Sequence, residues 1–316
     1  MTDKKIIAVA GATGAQGGGL ARAILADKSG DFAVRALTRD VGSDKAKELA
    51  AMGAEVVQAD LDDAESVRKA FAGAYGAFCV TFYWAHMSPE KESAQIRTLA
   101  ESAKTAGVRH VIWSTLEDTR VWVPLNDNRM PTLMDKYKVP HFDAKGQGDA
   151  VFHELGVPTT FMQASFYWEN FVYFGLGPKK YGEGPLVLTI PIADKKMAGI
   201  ASEDIGKCAY GIFKRGVSVV GHRIGLAGEQ LTGDEMAAKF SRALGQPVEF
   251  KPVTPEAFRG FGFPGADDLG NMFQFYTEFA DVVNASRNVE ESRALNPDLQ
   301  SFDAWLDQNA KLIPLE

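Results

Sequence analysis

A turn with three regularly spaced glycines, at positions 11, 14 and 17, constrains this chain more than any other stretch. The apolar residues 6–9 before it are typical of a strand buried on both faces of a parallel sheet. Leu20, Ile24 and Leu25 after it have helical spacing. Strand, glycine turn and helix in this order are the context of a dinucleotide-binding fingerprint, whereas small residues alone also serve helix–sheet packing. The stretch therefore predicts a nucleotide-binding first βα unit.

Each glycine of this turn has a physical role in such a unit. Gly11 permits the tight turn, Gly14 lets the backbone approach a pyrophosphate, and Gly17 lets the helix lie close to the sheet. The helix N-terminus then offers unpaired N–H groups and a positive dipole end to the phosphates. The predicted phosphate-binding residues are therefore Gly11, Ala12, Thr13, Gly14, Ala15 and Gln16.

Composition sets outer limits on the class of protein. A chain of 316 residues, 46% of them hydrophobic, can bury a large core in one or two domains. The net charge of −7 argues against a general nucleic-acid binder. The two cysteines, Cys79 and Cys208, lie in apolar surroundings without Cys-x-x-Cys spacing, which favours reduced core residues.

Targeting and membrane signals are not evident in the sequence. Residues 1–5 contain no apolar targeting region, and no stretch approaches the ~18 apolar residues of a membrane span. We therefore expect a cytoplasmic protein, with the nucleus as an alternative location, and no membrane partner.

Strand and helix patterns alternate through the first half of the chain. Strands are predicted at residues 32–39, 55–60, 77–81, 108–114 and 159–163, and helices at 45–52, at 64–71 and around the stripe at 96, 99, 100 and 103. Such alternation predicts a Rossmann-type, doubly wound parallel sheet with right-handed crossovers. The fold class is therefore α/β.

The pattern of residues changes after residue 175. Turns with Gly-Pro pairs are followed by a predicted strand at 186–190 and by predicted helix starts at Ser202 and Thr232, the second with a capping box. We therefore expect a Rossmann domain over residues 1–175 and a smaller C-terminal α/β domain over 176–316, with sheet strands that the two parts can share.

Residues 118–140 lie between two predicted strands, contain three prolines and show no periodicity. Loops of that length are uncommon in compact domains and often form lids or binding loops. The alternative is a surface insertion that touches nothing else.

The last residue of the second predicted strand bears on the choice of cofactor. That strand ends in Arg39, with no carboxylate where an NAD enzyme would bind the ribose hydroxyls. A guanidinium at this point suits a 2′-phosphate, which predicts NADP(H). The alternative is a solvated arginine paired with Asp40.

The ends of the next two strands supply further candidates for cofactor contacts. Asp60 and Leu61 would lie beside the adenine, although Asp60 is equally suited to cap the helix that follows. Thr81, Phe82 and Tyr83 would either form a wall for the ribose and nicotinamide or belong to the core.

Four blocks of this sequence together resemble the NmrA-like family, an atypical branch of the short-chain dehydrogenase/reductases. They are the glycine turn, Val80-Thr81 with Tyr83-Trp84, the segment 141–146 (His-Phe-Asp-Ala-Lys-Gly), and the block 262–273 that begins Gly-Phe-Pro-Gly-Ala. The resemblance runs nearly end to end and is strongest to the NADPH-sensor members. The last block lies outside any generic nucleotide motif and makes the resemblance specific.

The resemblance implies an NADP-binding Rossmann domain, a small C-terminal domain and often a dimer. It also implies that Lys145, Tyr167, Trp168, Glu169 and Asn170 line the cofactor. The sequence departs from the sensors at Trp168 and in the length of the 118–140 stretch. The substrate or partner contacts of that stretch are therefore left open.

The position four residues before Lys145 decides the catalytic question. Active short-chain enzymes have Tyr-x-x-x-Lys on one helix face, with the tyrosine as proton shuttle. Here that position is His141, a residue suited either to donate a proton at neutral pH or to start the helix after Pro140. Ser114 lies where those enzymes place a helper hydroxyl, and Tyr137 would need the loop to fold back.

The sequence contains no motif for metal-dependent or serine-hydrolase chemistry. The histidines lack metal-ligand spacing, and no Gly-x-Ser-x-Gly elbow occurs.

Three hypotheses about function remain. The first is an NADPH sensor that regulates a protein partner, and the second is a reductase of a quinone or small carbonyl or enone substrate using Lys145 or His141. The third, a bare scaffold, is disfavoured by the glycine turn and Arg39. We favour the sensor.

Overall fold

The computed structural model describes residues 4–316, so most of the 1–5 segment expected to lack a targeting signal lies outside the described residues. Its strands are β1 (Lys5–Val9), β2 (Phe32–Thr38), β3 (Glu55–Gln58), β4 (Gly76–Cys79), β5 (His110–Thr115), β6 (Thr159–Gln163), β7 (Phe166–Tyr167), β8 (Lys179–Lys180), β9 (Leu186–Leu188), β10 (Met197–Ile200), β11 (Arg223–Gly225), β12 (Glu229–Leu231) and β13 (Val248–Phe250).

The helices alternate with the strands in the first half and dominate the second. They are α1 (Ala15–Ala26), α2 (Asp44–Met52), α3 (Ala64–Phe71), α4 (Pro89–Thr105), α5 (Pro140–Glu154), α6 (Asn170–Tyr173), α7 (Ser202–Arg215), α8 (Gly233–Leu244), α9 (Pro255–Arg259), α10 (Ala266–Glu278), α11 (Ala280–Ser286), α12 (Val289–Leu295) and α13 (Phe302–Asn309). Short 3₁₀ turns lie at Tyr83–Ala85, Thr119–Val121, Gly216–Val219 and Ala310–Leu312.

The central sheet has seven strands in the order β11-β6-β5-β4-β1-β2-β3, and every neighbouring pair is parallel. The chain runs outward from β1 to β3, crosses back to β4 and continues the other way. This reversal brings the carboxyl ends of β1 and β4 together, which is where such sheets bind ligands. The predicted doubly wound α/β fold is confirmed.

Two hydrophobic cores cover the faces of this sheet. One contains buried residues of α1 and α7, and the other contains buried residues of α3, α4 and α5. In the first core, α1 and α7 approach each other closely. A Cβ on Gly19 of α1 would lie 2.6 Å from the carbonyl oxygen of Glu203 in α7. Glycine is therefore needed where these two helices meet.

A third core fills the C-terminal part, around the small sheets β12-β10-β7 and β13-β9-β8. The division of the chain at residue 175 does not coincide with a division of the sheets. Strand β11 comes from the later part and forms the edge of the main sheet, while β7 from the earlier part pairs with β10.

Local signals placed several helix ends correctly. Gly53 ends α2 in the left-handed conformation with φ 109°, and Thr232 begins α8 in a complete capping box with Glu235. Ser202 begins α7 as predicted. Within residues 4–316, no helix combines the length and apolar character needed to cross a membrane.

Candidate functional site

The glycine turn has the shape that a pyrophosphate requires. Gly11 has φ 62°, and its carbonyl oxygen accepts a hydrogen bond from the N–H of Gly14 at 2.8 Å. A Cβ on Gly17 would lie 2.5 Å from the Gly11 oxygen, so a side chain there would push α1 away from the turn. No side chain caps the N-terminus of α1, which leaves its first N–H groups to a ligand. The turn therefore fits a dinucleotide.

The remaining residues of the turn divide between solvent and core. Gly14 and Ala15 are exposed and Thr13 is half-buried, so these three border the space above the helix N-terminus. Ala12 is buried and packs beneath the turn. The ligand-facing surface of the turn is therefore mostly backbone.

Gln16 connects the turn to two other elements. Its side-chain oxygen accepts a hydrogen bond from Ser114 Oγ at 2.8 Å, and its side-chain nitrogen donates to the Tyr167 hydroxyl. Burial raises the pKa of Tyr167 to about 12, so the phenol stays protonated at neutral pH. Ser114 is therefore engaged in fixing the turn rather than aimed at Lys145.

Arg39 follows β2 on the surface with its guanidinium exposed. Its backbone oxygen accepts a hydrogen bond from Gln58 at 3.3 Å, but its side chain makes no hydrogen bond or ion pair within residues 4–316. The Asp40 carboxylate instead accepts the N–H of Gly42 at 2.8 Å. The alternative of an Arg39–Asp40 pair is therefore not observed, and the guanidinium is available to an anion.

Asp60 shapes the turn after β3. Its Oδ1 accepts the N–H of Asp62 at 3.0 Å, and Leu61 beside it is half-buried against the core of α3 and α4. The cap of α3 is Asp63, whose Oδ1 accepts the N–H of Glu65 at 3.0 Å. The capping interpretation of Asp60 is therefore wrong.

The aromatic segment after β4 is part core and part surface. Tyr83 is buried, with its ring 5.4 Å from that of Trp84 and 5.9 Å from that of His141, whereas Phe82 is 61% exposed. Burial raises the pKa of the Tyr83 phenol, and the nearby carboxylate of Asp268 raises it further. Phe82 alone of the two rings is placed to form a wall of an open site.

Lys145 on α5 reaches the end of β4. Its ammonium donates to Thr81 Oγ1 at 2.6 Å and to the Thr81 carbonyl oxygen at 3.1 Å, and it lies 2.8 Å from Glu92 Oε1. The same ammonium lies 5.3 Å from the centre of the Trp113 ring. Lys145 is therefore held at the meeting point of β4, β5 and α4.

His141 lies one turn earlier on α5 and has a different anchor. Its Nδ1 is 2.6 Å from Asp268 Oδ1, and its backbone N–H donates to Asp268 Oδ2 at 3.1 Å. The helix begins at Pro140, one residue before the predicted start at His141. Both side chains of the pair are largely buried, and Nε2 has no hydrogen-bond partner within residues 4–316. A carboxylate that fixes one ring nitrogen leaves the other for proton transfer.

The late glycine block explains how Asp268 reaches His141. Gly265 has φ 85° and is the N-cap residue before α10, and a Cβ there would lie 2.7 Å from the Trp84 ring. Trp84 in turn lies 4.8 Å from the His141 ring. The block therefore docks α10 against the carboxyl edge of the sheet and delivers Asp268.

The 118–140 stretch folds against α5 and α10. Lys138, almost fully buried, donates through Nζ to the Met130 carbonyl oxygen at 2.7 Å, and its N–H donates to Asp143 Oδ2 at 2.7 Å. Asn271 of α10 donates to the carbonyl oxygen of Pro131 at 3.0 Å. The alternative of an insertion that touches nothing is therefore wrong.

Tyr137 belongs to this folded stretch. It forms a bridge with Leu133, and its ring lies 5.5 Å from the Arg120 guanidinium. Burial raises the pKa of its phenol. The structure thus holds Tyr137 in the loop's own packing rather than beside Lys145 as a replacement for the missing tyrosine.

The rest of the segment that the family resemblance places along the cofactor continues past β7. Trp168 is buried in the C-terminal core, with its ring 5.2 Å from that of Phe302. Glu169 accepts the first N–H of α7 at 2.9 Å, and Asn170 begins α6. Of this segment, the Tyr167 hydroxyl reaches the glycine turn, whereas the Trp168 and Glu169 side chains serve the core and α7.

Three residues of the site were not predicted from the sequence motifs. Glu92 falls one turn before Ile96 on the buried stripe of α4, so a charge at an apolar position was the available signal. Asp268 lay inside the late glycine block, where spacing gives no hint of a partner at His141. His86, which faces Glu92 at 3.4 Å, follows an aromatic run without a recognisable pattern.

The fold and the glycine turn define a Rossmann-type protein built for a dinucleotide. The model of the NmrA-like family matches residues 3–306 of this chain. The chain belongs to the NmrA-like family.

Named relatives agree with this assignment. The NmrA-like oxidoreductase FrzB of a Cladobotryum species is 32% identical over 290 residues, covering 85% of this chain and 83% of FrzB. The NAD(P)H azoreductase of Xenophilus azovorans is 28% identical, covering 85% of this chain and 86% of that enzyme. Among solved structures, NmrA, a negative transcriptional regulator, in complex with NADP is 27% identical with a TM-score of 0.76, covering 98% of this chain and 97% of NmrA. NmrA is also known in complex with NAD.

Proposed function

We propose that this chain binds NADP(H) and is an NADP(H)-dependent reductase in which His141 donates the proton. The observation that carries the proposal is the His141–Asp268 pair, with Nδ1 and Oδ1 2.6 Å apart, one helical turn before Lys145. This is the place of the tyrosine in the Tyr-x-x-x-Lys arrangement. The oxidoreductase names of FrzB and the azoreductase are consistent with it.

The residues suited to hold the cofactor are those of the carboxyl edge. The glycine turn would receive the pyrophosphate on the N–H groups at the start of α1. Arg39, exposed and unpaired within residues 4–316, would bind the 2′-phosphate, and Lys145 would hold the nicotinamide ribose. The reduced nicotinamide supplies a hydride when bound.

His141 supplies the proton that balances this hydride on the acceptor. Asp268 orients the ring through Nδ1 and offsets its positive charge when both nitrogens are protonated. Nε2 then faces away from Asp268 and gives its proton to the acceptor oxygen. A quinone or small carbonyl or enone accepts one hydride and one proton in this way.

The test is NADPH oxidation with a panel of quinones, carbonyls and enones. His141→Ala and Asp268→Asn should lower the single-turnover rate by about 10²–10⁴-fold, the usual contribution of a positioned acid. Asp267→Asn, an exposed neighbour on the same helix turn, is the control and should keep full activity. Equal rates in all four proteins would refute the role of His141.

A regulatory protein that senses NADPH is the second candidate, and one observation favours it. Lys145 lies within hydrogen-bond distance of three acceptors inside the protein, so a ligand has to rearrange the site to reach it. Such a rearrangement is what a cofactor-dependent surface for a protein partner or a second copy would require. Tight NADPH binding without turnover of any acceptor in the panel would select this function.

A further inference from the structure

Glu92 is a buried carboxylate to which the proposed reaction assigns no role. Its side chain has no exposed surface, and its Oε1 accepts a hydrogen bond from Thr81 Oγ1 at 2.6 Å. The same oxygen lies 2.8 Å from Lys145 Nζ. A buried charge is costly unless it is paired and hydrogen-bonded, so Lys145 and Glu92 each make the other's position tolerable.

Lys145 is engaged by groups inside the protein. Its ammonium donates hydrogen bonds to the Thr81 carbonyl oxygen at 3.1 Å and to Thr81 Oγ1 at 2.6 Å, and it forms an ion pair with Glu92 Oε1 at 2.8 Å. A ligand hydroxyl therefore competes with these contacts for the ammonium. If the released partner is Glu92, its negative charge is left buried without a cation.

His86 is placed to replace the lysine. Its Nδ1 accepts the N–H of Ser88 at 3.1 Å, which leaves the ring proton of the neutral imidazole on Nε2. That nitrogen lies 3.4 Å from Glu92 Oε2, and both atoms are buried without a hydrogen-bond partner within residues 4–316. A small shift of either side chain would close this hydrogen bond.

Neighbouring charged groups have partners of their own. Asp62, after β3, is paired with Lys91 at 2.7 Å, and Glu90 accepts a hydrogen bond from Ser88 Oγ at 3.2 Å. The Tyr83 ring lies 6.0 Å from that of His86. Within residues 4–316, the contact between His86 Nε2 and Glu92 Oε2 is therefore an unused interaction of this cluster.

We propose that Glu92 is the positioning residue for Lys145, and that the His86–Glu92 hydrogen bond closes when Lys145 turns from Glu92 to a ligand. Glu92 fixes the ammonium at the end of β4 before the ligand arrives. His86 then keeps the carboxylate satisfied while the lysine is engaged. This inference rests on the proposed binding of NADP(H) at the glycine turn.

The first test is a double-mutant cycle on NADP⁺ affinity, measured by calorimetry. Glu92→Gln should weaken binding about tenfold, because the ammonium is then no longer held at the end of β4 before the ligand arrives, and the loss should vanish in a Lys145→Met background. Glu101→Gln, which removes an exposed ion pair with Arg97 on the same helix, is the matched control. Tighter binding by Glu92→Gln, or equal losses in both backgrounds, would overturn the positioning role. Glu92→Asp keeps the charge but shortens the reach, and should rescue only part of the affinity.

The second test follows the His86 ring by ¹⁵N-resolved NMR. In the free protein the ring should be the Nε2–H tautomer, and saturating NADP⁺ should move this proton downfield and slow its exchange with water. The change should be absent in Glu92→Gln. An unaltered His86 signal in wild type saturated with NADP⁺ would contradict the closing of the hydrogen bond.

The two tests separate failure of this inference from failure of the proposed function. If wild type binds neither NADP⁺ nor NADPH, the proposed function is wrong, and there is no ligand to which Lys145 could turn from Glu92. If wild type binds and Glu92→Gln binds equally well, cofactor binding stands and the role of Glu92 is wrong.

Discussion

His141 and Lys145 lie one turn apart on the same helix, yet their side chains are held by residues from different parts of the chain. Lys145 bonds to Thr81 and Glu92, which belong to the Rossmann part. His141 bonds to Asp268, which the C-terminal part supplies through α10. The side of the site proposed to bind the nucleotide is thus held by residues of the main sheet and its flanking helices, and the side proposed to donate the proton depends on how the C-terminal part docks.

The difference teaches where the two functions can change independently. The glycine turn, Arg39 and Lys145 are all carried by the sheet and its flanking helices. The position of Asp268 depends instead on Gly265 against Trp84 and on the packing of the folded 118–140 stretch against α10. Under the proposed function, a change confined to the C-terminal part can therefore alter the proton donor and leave the nucleotide side intact.

The largest expected effect concerns the buried ion pair that joins the two parts. Arg287, after α11, has no exposed surface and pairs with Glu117, near the end of β5, while its Nε donates to the Ala164 carbonyl oxygen at 3.2 Å. Glu117→Gln leaves this guanidinium unpaired and should lower the free energy of unfolding by about 3–5 kcal/mol, measured by urea denaturation. Glu101→Gln, at an exposed pair, should cost no more than about 1 kcal/mol.

The same pair predicts how stability depends on pH. Burial alone would raise the pKa of Glu117, but Arg287 beside it holds the pKa below the usual carboxylate value. The stabilisation is therefore complete above the unfolded pKa of about 4.3 and is lost as the pH falls through the lower folded value. Acid titration of wild type should show this loss, and Glu117→Gln should not. If wild type and Glu117→Gln lost stability identically on acidification, the Glu117–Arg287 pair would not be the contact that stabilises the two parts against each other.

A smaller effect is expected on the nucleotide side alone. If Arg39 binds the 2′-phosphate, its charge-assisted contact is worth roughly 1.5–3 kcal/mol, or about a tenfold to hundredfold preference for NADPH over NADH. Calorimetric titration of both cofactors measures it, and Arg39→Ala should remove the preference without changing the rate of bound-state reduction. Arg97→Ala, an exposed arginine away from this edge, serves as the control. A preference that survives in Arg39→Ala would reassign the 2′-phosphate site.

The smallest effect is expected in the folded stretch 118–140. Asp143 already accepts hydrogen bonds from the N–H groups of Thr119, Lys138 and Val139, so these amides should exchange slowly in the free protein. Adding NADP⁺ should slow exchange at residues 11–17 and 81–86 and leave these three amides nearly unchanged. Strong cofactor-dependent protection across the stretch would make it a lid and remove the contrast between the two sides.

Much of the architecture follows from local pattern. The glycine turn, the alternating strands and helices, and helix ends such as Gly53 and Thr232 are set by residues within a few positions of one another. The sequence therefore predicted the fold class, the glycine turn between the first strand and the first helix, and the helix start beside His141. Boundaries shifted by a few residues, as at β3, which ends at Gln58, because pairing with β2 decides where a strand stops.

The sequence by itself determined the sheet, the turn and the helix that carries both His141 and Lys145. Only the tertiary structure decided which groups surround these two residues: Glu92 for one, Asp268 for the other, and the core rather than the site for Trp168. Their partners lie 53 residues away in the first case and 127 in the second. Backbone hydrogen bonding and side-chain periodicity act over a few residues. The energy of pairing buried charges depends instead on where whole helices come to rest, and no short-range pattern encodes that.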